Sequence, residues 1–165
     1  MTKAKTIAFT GHRSLTDPQC DWILKTLPNV LERAIKKGYN RFISGGALGF
    51  DQIAAETVIH LKDNCDLTLW IAEPFYGFTD KWTEAQKARY QTVRDKANQS
   101  FVISRDYSQG VYQIRNEWMV DHSEIVVAAW NGQPSGTANT VEYAIAEGKR
   151  VCHLNLTNLS EKWLP

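Results

Sequence analysis

The 165-residue sequence has few cysteines, no excess of one charge and no long apolar run. The three cysteines, Cys20, Cys65 and Cys152, lie far apart and outside any Cys/His cluster, which argues against a zinc site and a disulfide framework. Lys and Arg total 19 and Asp and Glu total 18, so the formal net charge is +1. This balance disfavours nucleic acid as a partner, because bulk phosphate binding usually needs a larger basic excess. We expect no metal and no cofactor.

Targeting signals are also missing from the sequence. No apolar run approaches the roughly 20 residues that a membrane-spanning helix needs. Residues 1–5 lack the apolar length and the small-residue cleavage site of a secretion signal. We therefore expect a cytoplasmic protein without a membrane partner. The length and the ordinary composition, with 43% hydrophobic and 22% charged residues, predict a single domain over residues 1–165.

Strand-like and helix-like segments alternate along the chain. The pattern predicts strands at 6–10, 41–44, 67–72, 101–103, 125–130 and 150–154, and helices at 17–37, 51–61, 83–98, 111–122 and 136–146. The connection lengths favour parallel strands, so we predict an α/β fold, a three-layer α/β/α sandwich with a mostly parallel sheet. Residues after Leu156 are expected to form a surface turn, with Trp163 packed back on the domain.

Local signals refine the first helix and the third strand. Asp17 is expected to cap the first helix, with Pro18 at its first helical position. Pro28 should kink or split that helix, and Gly38 stands where a C-terminal cap is expected. The third strand is expected to stop before Pro74.

Most of the glycines follow predicted strands, at the edge where open parallel sheets bind ligands. Glycine there lets backbone N–H groups approach a phosphate beside the partly positive N-terminus of a helix. Such turns often need glycine for purely structural reasons, so one loop alone is weak evidence. Three loops together predict an anion site. The six glycines are Gly11, Gly45, Gly46, Gly49, Gly132 and Gly136.

The first loop follows the first strand and combines a hydroxyl, a flexible backbone and two potential cations, in Thr10, Gly11, His12 and Arg13. These groups suit an anion. The alternative is a plain turn, in which His12 only makes a hydrogen bond and Arg13 only faces solvent.

The second loop contains Ser44, Gly45, Gly46 and Gly49. Its spacing is GGxxG, so the GxGxxG fingerprint of dinucleotide-binding proteins does not apply. Asp51 follows at the start of a helix, where capping is its simplest role. Because a carboxylate repels phosphate, an Asp51 that contacts a ligand is expected to bind ribose hydroxyls or a base.

The third loop leads into the last predicted helix, and the small polar residues Ser135, Gly136, Thr137, Asn139 and Thr140 stand at this junction. Glu142 follows in or near the first helical turn, where it could cap the helix, bind ribose or act as an acid. In the preceding helix, Arg115 shares a face with Met119 and has Asn116 beside it. Arg115 could hold a phosphate with two hydrogen bonds, or it could pair with Glu117 or Asp121.

An aromatic segment follows the third predicted strand and contains Phe75, Tyr76, Phe78 and Trp82. These rings could stack on a base as a lid. They could equally pack against the next helix or a second subunit. We expect packing for Trp82, and the sequence leaves Tyr76 open.

In their order, segments 44–51, 115–119 and 134–142 resemble those of the SLOG superfamily. That Rossmann-like group includes the LOG cytokinin-activating enzymes, the DNA-processing protein DprA and the YpsA-like proteins. Segments 10–13 and 136–140 are most similar to the YpsA-like branch, which includes phage-encoded members. The resemblance covers roughly residues 7–154.

The resemblance to LOG enzymes concerns a P-G-G-x-G-T-x-x-E loop and an R-K-x-x-M helix. LOG enzymes hydrolyse the N-glycosidic bond of adenosine monophosphate derivatives with an Arg and a Glu. This sequence keeps the matching Pro134, Gly136, Glu142, Arg115 and Met119. It departs from those motifs at Ser135, Asn116, Ala138 and Asn139, and at Asp51 it looks more like DprA and YpsA.

The resemblance implies a Rossmann-like domain that binds a nucleotide or a nucleotide-derived signalling ligand. We expect a sensing or sequestering role, because the nucleotide pocket carries over better than the hydrolase motif does. The alternative is a nucleotide N-glycosidase with Arg115 and Glu142 as catalytic residues. DNA binding like that of DprA is the third hypothesis. LOG proteins are dimers, so the resemblance also implies a homo-oligomer.

Overall fold

A computed structural model describes residues 4–164 as a seven-stranded sheet with helices on both faces. The strands are β1 (Lys5–Gly11), β2 (Tyr39–Ser44), β3 (Thr68–Phe75), β4 (Gln99–Ser104), β5 (Ile125–Trp130), β6 (Arg150–Asn155) and β7 (Ser160–Leu164). The helices are α1 (Asp17–Lys36), α2 (Phe50–Leu61), α3 (Glu84–Lys96), α4 (Val111–Asp121) and α5 (Gly136–Ala146). The strand order is β4-β3-β2-β1-β5-β6-β7, with β7 antiparallel and the other pairs parallel.

Alternate residues of the central strands face different helical layers, as the two-residue period of a strand requires. In β1, Ile7 and Phe9 belong to the large core that α1, α2 and α3 cover. Ala8, between them, belongs to a smaller cluster with Met119 of α4. Helix α5 contributes Val141 to a further cluster on β5 and β6. The predicted three-layer α/β/α sandwich with a mostly parallel sheet is therefore confirmed.

The strand order fixes where a ligand can bind. β1 lies between β2 and β5, so the chain leaves β1 toward one side of the sheet and leaves β5 toward the other. At such a switch point the loops after the two strands diverge and open a crevice outside their carboxyl ends. Here those loops follow Gly11 and Trp130.

Helix α1 differs from the prediction at both of its special positions. Thr16 is the N-cap and forms a capping box with Gln19, so Asp17 is already helical. Pro28 lies inside one continuous helix. Buried residues on both sides of Pro28 pack on the sheet, and this packing outweighs the local cost of the proline. Gly38 follows the C-cap with φ +96°, as its predicted role requires.

Strand β3 continues through Pro74, against the prediction that it stops there. β2 ends at Ser44, which pairs with Ile71. Pro74 therefore has no β2 residue beside it, and its missing N–H costs no ladder hydrogen bond on that side.

The segment after β6 is also more regular than predicted, because Ser160–Leu164 forms the antiparallel strand β7. The turn before β7 has Leu159 at φ +53°. A hairpin usually carries glycine or asparagine at such a position, so the sequence lacked the usual turn signal. Trp163 on β7 lies under the guanidinium of Arg150, which is 4.6 Å from its ring centroid. No helix within residues 4–164 is long and apolar enough to cross a membrane.

Candidate functional site

A cavity of about 300 Å³ opens at the carboxyl ends of β1 and β5. It draws on all three glycine loops and on α4. Its lining residues are Thr10, Gly11, His12, Arg13, Ala47, Asp51, Tyr112, Arg115, Asn116, Ser135, Gly136 and Thr137. Ten of these twelve are among the ligand-binding residues that the sequence predicted; Ala47 and Tyr112 are not.

The first loop is tied to the third by His12. Nε2 of His12 accepts a hydrogen bond from the backbone N–H of Asn131, at 3.1 Å. The backbone N–H of His12 donates to the carbonyl of Ala129 at the end of β5. His12 therefore fixes the width of the crevice between β1 and β5 as well as lining it.

Two glycines allow α2 to begin directly against the first loop. A Cβ at Gly11 would lie 2.5 Å from the ring of Phe50. Gly49 has φ +84°, and a Cβ there would collide with the backbone of Arg13. The backbone N–H of Phe50 donates to the carbonyl of His12, at 3.1 Å. Gly49 thus serves the contact between the loops and does not line the cavity.

The rest of the second loop forms a wall behind the cavity. Ser44 is fully buried, and its Oγ donates to the carbonyl of Asp51 and accepts from the N–H of Gly46. Gly46 lies against the ring of Tyr90. Gly45 lies against both Arg115 and Asp51. Of the predicted second-loop residues, only Asp51 lines the cavity.

Asp51 is a buried carboxylate at the cavity, with 7% of the residue exposed. Burial raises its pKa to about 6, against the opposing effects of the Arg115 charge, the Ala47 N–H and Arg13. The N-cap of α2 is Gly49, so Asp51 does not cap the helix. A carboxyl group with this pKa can hold or release a proton near neutral pH.

Arg115 is also buried at the cavity, with 3% of the residue exposed. Nη1 donates to the carbonyls of Gly45 and Ala72, at 2.6 and 3.0 Å, and Nε donates to Oδ1 of Asn116. Nη2 has no hydrogen-bond partner in the described part of the chain. Burial lowers the pKa of Arg115, and the Asp51 charge opposes that shift. The guanidinium is therefore held by the protein on one edge and available to a ligand on the other.

The surface ion pair considered for Arg115 is not formed. Neither Glu117 nor Asp121 lies within 4 Å of the Arg115 guanidinium. The side chain instead passes inward to the carbonyl ends of the strands.

Tyr112 is one of the two cavity residues that the sequence did not predict, and it is the one with a functional side chain. The guanidinium of Arg13 lies 4.7 Å from its ring centroid, and that of Arg115 lies at 6.0 Å. An aromatic ring with two cations nearby helps to hold both of them at the cavity. Tyr112 precedes Arg115 by three residues on α4, so the shared helix face was a signal that could have found it.

The third loop supplies the N-terminus of α5. Ser135 is the N-cap, and its Oγ accepts from the N–H of Ala138, at 3.1 Å. The backbone N–H groups of Gly136 and Thr137 have no partner among residues 4–164. Both residues line the cavity, so they can offer these donors to an anion.

Three predicted residues of α5 lie outside the cavity. Thr140 is buried and donates its hydroxyl to the carbonyl of Gly136. Asn139 and Glu142 are exposed. Glu142 lies beyond the first turn of α5 and does not line the cavity with Arg115, whereas the resemblance to LOG enzymes gives both residues a catalytic role. No group of three His, Cys, Asp or Glu side chains in the described range is arranged to hold a metal ion.

The sequence comparisons agree on one family. The model of the YspA SLOG family (YpsA) matches residues 7–161. The SPbeta prophage-derived protein YoqJ of Bacillus subtilis is 35% identical over 133 residues, covering 73% of this chain and 78% of YoqJ. A UPF0398 protein of Levilactobacillus brevis is 28% identical over 166 residues, covering 94% of this chain and 88% of the relative.

Solved structures show the same Rossmann-like fold at low sequence identity. DNA processing protein A of Helicobacter pylori, which binds single-stranded DNA, has a TM-score of 0.65 and 20% identity, covering 93% of this chain and 70% of that one. DprA of Streptococcus pneumoniae has a TM-score of 0.68 and 17% identity, covering 91% of this chain and 50% of DprA. The Moco carrier protein of Chlamydomonas rheinhardtii has a TM-score of 0.52 and 15% identity, covering 92% and 76%.

Proposed function

Because the chain belongs to the YspA SLOG family, we propose that it binds a nucleotide or a nucleotide-derived signalling ligand in this cavity. The role is sensing or sequestering. The observation that carries the proposal is the buried Arg115, whose Nη2 is unpartnered in residues 4–164, in one cavity with the N-terminus of α5.

The phosphate is assigned to the cationic groups and the backbone N–H donors of the cavity. Arg115 can donate from a dry, fixed position, where a charge-assisted hydrogen bond is stronger than at the surface. The N–H groups of Gly136 and Thr137 add donors at the positive end of α5. Arg13, held over Tyr112, adds a second cation.

The sugar is assigned to the neutral and acidic groups of the cavity. Asp51 can accept hydrogen bonds from ribose hydroxyls, and it would repel a phosphate at the same position. Asn116 and Thr10 also line the cavity and can bond to hydroxyl groups. This division follows the charge of the lining residues.

Isothermal titration calorimetry with adenine nucleotides, ADP-ribose and cyclic nucleotides tests the proposal. We expect micromolar or tighter binding of at least one member, weakened about 100-fold or more in Arg115→Met because a buried charged donor is lost. Arg94→Met is the matched control, since Arg94 lies outside this cavity. Failure of every ligand to bind at high micromolar concentration would overturn the proposal.

A second candidate is hydrolysis of the N-glycosidic bond, favoured by the combination of Asp51 and Arg115 in one cavity. In that reaction water adds to the sugar carbon, the C–N bond breaks, and the departing base takes a proton. Asp51 suits the proton transfer because its pKa is about 6. Free base accumulating over time in wild type, and not in Asp51→Asn, would support this candidate. Turnover lost in Glu142→Gln instead would assign the role to Glu142.

DNA binding is the least favoured candidate. The likeness to DprA concerns the fold, and the net charge of +1 offers little for a long polyanion. A mobility shift with single-stranded DNA that weakens steeply with salt would favour it. An absent or salt-insensitive shift would exclude it.

A further inference from the structure

A second, wider depression lies beside the ligand cavity and is dominated by aromatic rings. It has a volume of about 700 Å³. We call it the aromatic groove and define it by the aromatic residues Phe75, Tyr76, Phe78, Trp82, Tyr107 and Tyr112. It is formed where the loop after β3 and the loop before α4 meet the start of α4.

The aromatic groove and the ligand cavity share a wall. Tyr112 lines both of them. A small pocket of about 30 Å³ shares Arg13 and Arg115 with the cavity, Phe78 with the groove, and Tyr112 with both. The cavity and the groove therefore adjoin at Tyr112.

Two of the rings have most of their surface free. Tyr76 is 70% exposed and Tyr107 is 67% exposed. Phe75 lies beneath Tyr107 and Tyr112, with edge-to-face contacts at 5.6 and 5.9 Å between ring centroids. Large exposed aromatic surface next to a polar cavity is typical of a ligand-binding groove.

The other two rings are already occupied within the protein. Phe78 and Trp82 contact Tyr90 edge-on, at centroid distances of 5.3 and 5.7 Å, and both pack against the large core. Trp82 therefore packs as expected from the sequence. The aromatic surface that remains for a ligand belongs to Tyr76, Tyr107 and Tyr112.

Charge separates the two depressions. The ligand cavity holds Arg13 and Arg115 against the single acidic Asp51. The aromatic groove has two acids, Asp80 and Asp106, against the single base Lys81. The groove is thus poor in charge for a phosphate and suited to a neutral planar group.

We propose that the aromatic groove holds the nucleobase of a ligand whose phosphate and sugar occupy the cavity, with the base stacked between Tyr107 and Tyr76. This inference rests on the proposed function. It assigns the base to the loops after β3 and before α4. The occupant is a mononucleotide-sized ligand, because a longer strand would bring further phosphates against Asp80 and Asp106.

The test compares ribose 5-phosphate with the four common ribonucleoside 5′-monophosphates by calorimetry. In wild type, at least one monophosphate should bind about 5- to 100-fold more tightly than ribose 5-phosphate, the range that base stacking on an aromatic side chain supplies. The double variant Tyr76→Ala/Tyr107→Ala should lose this advantage and keep its affinity for ribose 5-phosphate. Both side chains are mostly exposed, so the variant should fold.

Two control variants accompany the double variant. Tyr107→Phe keeps the ring and should keep the advantage. Leu24→Ala removes an exposed apolar side chain from α1, outside both depressions, and should change neither affinity.

Each remaining outcome counts against the groove assignment. An advantage that survives in the double variant, or is missing in wild type, overturns it while leaving phosphate binding in the cavity intact. No binding of any monophosphate also overturns it, and the wider ligand panel then decides separately whether the cavity binds nucleotides. A 5′-phosphorylated single-stranded decanucleotide that binds more tightly than every monophosphate would make a strand the occupant and overturn the mononucleotide assignment.

Discussion

Asp51 and Glu73 are equally buried, each with 7% of the residue exposed, but their surroundings differ. Glu73 accepts a hydrogen bond from the hydroxyl of Tyr90, at 2.9 Å, and lies 3.4 Å from Nη2 of Arg94. Asp51 accepts one long hydrogen bond, at 3.4 Å, from the N–H of Ala47. Within residues 4–164, no Lys or Arg lies within 4 Å of Asp51.

The two carboxylates lie on either side of one glycine pair. Gly45 contacts Asp51 and Arg115, and Gly46 contacts Tyr90, the partner of Glu73. Glu73 has both oxygens satisfied by the protein, as buried polar groups in a stable core usually are. Asp51 and Arg115 keep unused bonding capacity and face a cavity. Unused hydrogen-bonding capacity in a buried group lowers stability, so the difference separates a structural cluster from the proposed binding site.

The largest difference in stability is expected between variants of Arg115, beside Asp51, and of Arg94, the partner of Glu73. Arg115→Met should lower the free energy of unfolding by about 3–5 kcal/mol, because it removes the cation with the largest effect on the buried Asp51 charge and takes its hydrogen bonds from the carbonyls of Gly45 and Ala72. Arg94→Met should cost less than about 1 kcal/mol, since the Arg94 side chain is 43% exposed and Glu73 keeps its hydrogen bond from Tyr90. Urea unfolding at pH 7 measures both. Equal losses of stability in the two variants would show that the Asp51–Arg115 and Glu73–Arg94 groups are both purely structural.

Replacing Asp51 should stabilise the protein, with a pH dependence of known sign. The pKa of Asp51 in the folded state is about 6, above its ordinary value of 3.8. Between these values the folded state binds more protons than the unfolded state, so Asp51 makes wild-type stability fall as pH rises from about 4 to 6. Asp51→Asn removes that loss and should add about 3 kcal/mol at pH 8 and little at pH 4.

Unfolding of wild type and Asp51→Asn at several pH values is the measurement. A gain that is the same at pH 4 and pH 8 would mean that ionisation of Asp51 is not its cause. A gain accompanied by weaker ligand binding would fit a residue kept for function at the expense of stability.

Glu73→Gln should destabilise the protein, in contrast to Asp51→Asn. The amide oxygen can still accept from Tyr90, but the charge that holds Arg94 is lost. We expect a destabilisation of about 1 kcal/mol at pH 8 and no change in ligand affinity. Unfolding and calorimetry on the same preparation check both expectations. Weaker ligand binding in Glu73→Gln would show that the Tyr90 contact with Gly46 transmits to the cavity.

The sequence predicted the layers of the fold well because hydrophobic periodicity dominates them. The predicted bounds of β5 and α5 agree with the structure residue for residue. The misses are local: β3 crosses Pro74 because β2 ends earlier, and β7 follows a turn in which Leu159 takes a conformation usually left to glycine. Such exceptions depend on neighbouring strands or on strain, and no window of sequence contains that information.

The candidate site was predictable in its loops and less so in its side chains. A glycine-rich loop after a strand indicates a site, but it does not say which residues face the ligand. Ser44 and Gly46, for example, form part of the wall behind the cavity and do not line it. Tyr112 escaped notice because its role depends on how α4 is rotated toward Arg13.

Glu142 is a third carboxylate to compare with Asp51 and Glu73. Its replacement is expected to have the smallest effect on ligand affinity and stability. Glu142 matches the LOG motif in spacing, but it is exposed on α5 and lies outside the ligand cavity. Glu142→Gln should leave ligand affinity within about twofold and stability within about 0.5 kcal/mol, like Glu147→Gln, an exposed control at the end of α5. Calorimetry with the best ligand of the panel measures the affinity. A tenfold loss in Glu142→Gln alone would mean that its carboxylate serves a ligand bound to another copy of the chain, which would make the site one shared between subunits.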